Sequence, residues 1–189
     1  MCLVMLYLFA SNIHAQSFDE EQERRVRSGL QMFRSILSAD KDINKKHNEQ
    51  QGIDIVFVYD KDLERAQALA RRFVRMGRGD KKGKIKDLPI TIHIMRNLAG
   101  IAQENIQAAG IFILEKVESE RIQQTAEYGL QNNIVTYSPY EGDVEMGIMS
   151  GLMIATRPKP YFNQATLNGS QIRIKPFMLK VAEIYEPES

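Results

Sequence analysis

The segment YSPYEGDVEMG, residues 137–147, places three carboxylates, Glu141, Asp143 and Glu145, within five residues. Carboxylates this close repel one another unless a cation or a basic side chain relieves them, and one of them then holds its proton to a higher pH. Extended backbone would put all three on one face, where an oxygen-ligated divalent cation is conceivable. The spacing does not continue into an EF-hand loop, because no bidentate acid follows at the required offset. Catalysis would need a nucleophile or positioned base, and the segment offers only Ser138 and Tyr140. A solvated or salt-bridged loop is therefore favoured, ahead of a ligand or partner contact, with catalysis or a metal last.

The position of the segment keeps a contact role in view. It follows the carboxyl end of an expected strand, IVTYS, and open α/β sheets place ligands at that end. Ser138 and Pro139 begin a tight turn that should leave Tyr140 exposed, and Arg157 and Lys159 in the next connection are the cations expected to pair with the acids. Of the neighbours Tyr161 and Phe162, one aromatic should face inward and the other mark a contact surface, with Asn163 beside them. The candidate ligand or partner contacts are thus Ser138, Tyr140, Glu141, Asp143, Glu145, Arg157, Tyr161 and Asn163; no catalytic residue, metal site or cofactor is expected.

Composition narrows the classes further. The chain has 189 residues, one domain's worth, with 43% apolar and 26% charged residues. Lys and Arg number 25 against 24 Asp and Glu, a net charge of +1, so there is no one-signed field of the kind that binds nucleic acid. The opening MCLVMLYLFASNIHA is uncharged, with an apolar run and then small or polar residues. It reads as a secretory signal peptide over residues 1–15, cleaved after Ala15, which places the mature chain, 16–189, in the periplasm. The single cysteine, Cys2, would leave with that leader. The remaining histidines, His47 and His93, are too few and too separated for a His-based zinc site, and His93 reads as a packed strand residue.

Those residues need a scaffold, and the middle of the chain supplies a regular one. Val26, Leu30, Phe33 and Leu37 form one helical stripe within 18–37. Then IDIVFVYD, PITIHIM, IFILE and IVTYS read as buried strands, separated by helical segments that Asp60 and Ser119 are placed to cap. Alternation over 53–138 predicts a mainly parallel sheet with helices on both faces, a three-layer α/β sandwich. The Gly- and Lys-rich MGRGDKKGKIKD follows a helix and lacks a P-loop ending, so it is read as a solvated turn. After residue 147, two apolar runs flanking RPKP suggest a strand pair at one edge, and KPFMLKVAEIYE suggests a terminal helix opening at Pro176.

The tail elements GIMSGLMI, PYFNQATL, NGSQIRI and KPFMLKVAEIY, in that order, resemble the ending of YfiR/HmsC-type periplasmic proteins. The resemblance covers mainly residues 134–186, and a similar ending occurs in some periplasmic substrate-binding proteins of ABC transporters. The first resemblance implies a secreted, non-enzymatic regulator that binds the periplasmic domain of an inner-membrane signalling protein, such as a diguanylate cyclase in cyclic-di-GMP signalling. Redox control through cysteines, known in that family, is not carried over, because the mature chain has none. The second implies a receptor for a small ligand; a bilobal receptor usually needs a longer chain, which favours the regulator. A homodimer is the further assembly expected.

Overall fold

The computed structural model describes the backbone of residues 2–187 and the side chains of residues 20–187. The expected leader falls on a stretch whose side chains lie outside the described residues. The first element, α1 (Cys2–Ala39), carries the anticipated stripe, and Val26, Leu30, Phe33 and Leu37 are all completely buried. Among the described residues no helix is long and apolar enough to cross a membrane.

Eight strands form one sheet in the order β2-β3-β1-β4-β5-β6-β7-β8. The strands are β1 (Ile53–Val58), β2 (Lys84–Ile85), β3 (Leu88–Met95), β4 (Ala108–Ile113), β5 (Val135–Ser138), β6 (Ser150–Ile154), β7 (Pro158–Asn163) and β8 (Glu183–Tyr185). From β3 through β1, β4 and β5 to β6 every pairing is parallel. Chain order reverses between β1 and β4, the topological switch point of a doubly wound sheet.

Helices cover both faces, and alternate residues of β1 divide between them. Ile55 and Phe57 join the core beneath α1 and α2 (Leu63–Arg75), whereas Val56 and Val58 pack with Ile101 of α3 (Ala99–Gln103) and Tyr128 of α4 (Ser119–Gln131). Strands apolar on both faces are what a parallel sheet between two helical layers requires. The α1 side is bound by aromatic contacts: Phe33 lies 6.0 Å from Phe73, 5.4 Å from Phe112 and 5.5 Å from Tyr137 between ring centroids. Gly110 makes room for this, since a Cβ there would sit 2.7 Å from the Phe33 Cζ.

The three-layer α/β sandwich is the architecture found, and four local details differ from expectation. Asp62 rather than Asp60 caps α2, accepting the amide of Arg65 at 2.8 Å. Glu118, not Ser119, is the N-cap position of α4, and it makes no side-chain capping bond. The expected strand pair is an antiparallel hairpin, β6–β7, but it is not outermost. The helix at Pro176, α6 (Pro176–Val181), ends early, and Glu183–Tyr185 turns into β8 against Tyr161–Asn163. The open edge of β7 offers unpaired backbone groups, and satisfying them outweighs the helical pattern of the segment; Lys159 also pairs with Glu183 at 3.2 Å.

Phe33→Ala should cost about 3–5 kcal/mol, the range for a truncated core aromatic. Urea unfolding of the variant and parent measures this directly, and a loss below about 1 kcal/mol would show that α1 is not seated through this ring.

Candidate functional site

The carboxyl edge of the sheet, where β1, β3, β4 and β5 end, gathers most of the interior polar contacts on that side. Glu115 lies two residues past the end of β4, and its carboxylate accepts the backbone amides of Asp60, Lys61 and Asp62 at 3.2, 2.7 and 3.0 Å. These amides lead into α2, where unpaired N–H groups and the helix dipole favour a negative charge. Arg121 of α4 ties together Asp60, at 2.5 Å, and the carbonyl of Arg96 at 2.6 Å. Arg65 binds Glu23 of α1 at 2.9 Å and the Leu114 carbonyl at 3.1 Å.

Next to this group stands the acidic segment. Residues 141–147 form turns rather than a strand, so period two does not put the acids on one face. Asp143 is buried and accepts the Ser138 hydroxyl, while the Tyr140 amide donates to that same hydroxyl oxygen at 3.2 Å. Glu141 is exposed and lies 3.7 Å from Arg25 of α1; Glu145 is exposed and accepts the Tyr161 hydroxyl at 3.0 Å. Tyr140, expected at the surface, is buried, and its hydroxyl donates to the Leu114 carbonyl at 2.7 Å. The ring leaves solvent because it closes the gap between the ends of β4 and β5. Burial pushes its pKa up to about 12.

Of the remaining candidates, Asn163 is buried, donating to the Val144 carbonyl at 2.8 Å and capping α5 (Gln164–Gly169) through Thr166 at 2.9 Å. Its role is to hold the acidic turn against β7. Phe162 is the inward aromatic, fully buried, and Tyr161 is half-buried. Arg157 is exposed in the β6–β7 turn and makes no ion pair among the described residues, and Lys159 binds Glu183. The cation that meets Glu141 is instead Arg25, supplied by α1.

Arg25 itself is buried. Its Nε donates to the Pro139 carbonyl at 3.0 Å, whereas the enclosed Nη2 has no hydrogen-bond partner among the described residues. The hydroxyl of Tyr137 nearby likewise has no partner among the described residues, and burial raises its pKa. Neither Arg25 nor Glu115 carries a motif. Residues one or two past the strand ends, Asp60, Glu115 and Pro139, were nevertheless findable, since that edge is where an open parallel sheet concentrates its polar contacts. Arg25 has no such signal, because its partner is distant in sequence.

Burial lifts Asp143 to about 6, with Glu145 only a minor contributor, so desolvation rather than acid crowding perturbs it. The unfolded carboxylate titrates near 4. The folded state therefore holds this proton more tightly, and the associated stability is present below about pH 4 and lost as pH rises through about 6. Asp143→Asn should consequently gain about 1–2 kcal/mol relative to the parent between pH 4 and pH 7, after allowance for solvent near the turn. Urea unfolding across that range checks it, and a pH-independent difference between variant and parent would refute the assignment.

No family model matches the chain, and no curated protein matches it. Several solved structures share its fold, including two over at least 75% of this chain. One is an ABC domain in complex with L-Trp from Streptococcus pneumonia, with a TM-score of 0.55 and 11% identity over 80% of this chain. The other is a conserved domain protein from Vibrio cholerae O1 biovar eltor, with a TM-score of 0.50 and 12% identity over 75% of this chain. The chain spans 60% and 57% of the lengths of those two proteins. At such identities the likeness establishes the fold: an α/β sandwich of the kind seen in these proteins.

Proposed function

We propose that the chain is a non-catalytic binding domain that takes a small carboxylate-bearing ligand at the carboxyl edge of its sheet. The observation carrying this reading is Arg25, a buried guanidinium whose only counter-charge among the described residues is an exposed glutamate, Glu141, 3.7 Å from its Nη1. At 3.7 Å and with its acid in solvent, this pair is screened on the Glu141 side and contributes on the order of 0–1 kcal/mol, so a ligand carboxylate could displace Glu141 at little cost. The second carboxylate at this edge, Glu115 on three amides, is in keeping with donors suited to that group. The fold neighbour that holds L-Trp suggests amino acids as the first ligands to try. Ser138, Tyr140 and Asp143 would then order the turn beside the ligand.

A regulatory reading is supported by a different feature. Phe177, Val181 and Ile184 are exposed large apolar side chains on α6 and β8, at the outer edge of the sheet. An apolar patch on an edge strand suits a protein partner, and the YfiR/HmsC-like tail names one: the periplasmic domain of a membrane signalling protein. Both readings place the chain in the periplasm, after removal of residues 1–15.

The chain contains no tryptophan, so a change in the emission or anisotropy of added L-Trp reports binding with no tryptophan signal from the protein. Thermal melts against a panel of L-amino acids extend the test. A true ligand at a hundredfold excess over its Kd should stabilise the protein by about 2.7 kcal/mol. Glu141→Gln should tighten binding several-fold by freeing Arg25, and a panel in which no member shifts the melt would overturn the receptor reading. For the regulator, pull-down with the periplasmic domain of a membrane protein encoded beside this chain is the corresponding measurement. Repeated failure to bind would remove it.

A further inference from the structure

At the amino edge, opposite the site above, an acid interrupts an otherwise apolar central strand. In β1, IDIVFV, Asp54 sits in the middle of the sheet and is 7% exposed. A charged side chain in such a strand opposes the burial rule that shapes its neighbours. The β1–β4 ladder is also irregular at this point, slipping between Asp54 and Ile55, and such bulges re-aim side chains. Asp54 Oδ1 accepts from the side-chain Nδ2 of Asn48 at 3.1 Å and meets His93 Nε2 at 3.0 Å. Asp54 Oδ2 takes no hydrogen bond among the described residues and is not among the fully enclosed polar atoms that lack one.

Asp54 and His93 line a hollow of about 420 Å³ together with Glu49, Glu104, Asn105 and Gln107. That volume lies within the range of small-molecule sites. Three of its lining side chains are acids, and none is Lys or Arg. No three His, Cys, Asp or Glu side chains among the described residues stand close enough together to hold a metal ion. The acceptors are therefore spread for hydrogen bonds to a larger cation. An ammonium group offers three donors and one positive charge, which Asp54 Oδ2, the rim carboxylates and the side-chain amide oxygens would share.

We propose that this hollow is a binding site for a small organic amine, with Asp54 as the principal acceptor and His93 holding that carboxyl group in place. The site is separate from the carboxylate site, lying across the full height of the sheet from it.

The test uses protein labelled with ¹⁵N-histidine and titrated with 1,4-diaminobutane, with uncharged 1,4-butanediol as the control. The diamine should shift the His93 ring nitrogens saturably, and the diol should not. Asp54→Asn should weaken the diamine at least about tenfold and Glu104→Gln several-fold, as expected when a charged partner is neutralised. Glu49 and Glu104 are exposed, so the double variant Glu49→Gln, Glu104→Gln decides the matter should Asp54→Asn fail to fold. No saturable shift, an equal response to the diol, or unchanged binding in the rim variants would each overturn the proposal. Arg25→Met should leave diamine binding unaltered, which separates this site from the one proposed for carboxylates.

Discussion

The seating of Phe33 against the sheet sets the positions of everything at its two edges. Its ring meets Phe73, Phe112 and Tyr137 at once, in the space left by the missing side chain of Gly110. A close-packed ring in three contacts fixes both the height and the rotation of α1. Two turns before it, Arg25 and Glu23 then reach the carboxyl edge, at Pro139 and Arg65. Beyond its other end, Asp40 is fully buried beside Lys46 at 2.9 Å, at the amino edge. One helix thus spans the sheet and contributes to both edges.

Much of this architecture was legible because its signals are local. A strand buried on both faces must be apolar at every position, and IDIVFV and AAGIFI nearly are. The stripe Val26, Leu30, Phe33 and Leu37 likewise declares which face of α1 is covered. The acidic segment was harder to read. Its alternation looks like a strand face, yet Gly142 and Gly147, at φ 88° and 109°, bend the chain into turns. Asp143 goes inward to Ser138, while Glu141 and Glu145 go outward. Pairing with Arg25 could not be inferred from spacing, because more than a hundred residues separate it from Glu141. The strand β8 escaped for the same reason: what draws Glu183–Tyr185 out of a helix is the unpaired edge of β7.

The two edges differ in charge preference, and the directions of the helices account for it. Both α2 and α4 connect parallel strands, so each starts at the carboxyl edge and ends at the amino edge. At 13 residues each they carry a full macrodipole, positive at the carboxyl edge and negative at the other. Glu115 on the amides before α2 is the direct expression of that polarity. The run of α1, whose end at Ala39 lies toward the amino edge, adds in the same sense. A carboxylate ligand near Arg25 would therefore be drawn by the guanidinium and by the helix ends together. An amine near Asp54 would be drawn by the acids and by the opposite ends of the same helices. Exchanging the two proposed ligand classes between the edges would set each against the helix ends as well as against its side-chain partners.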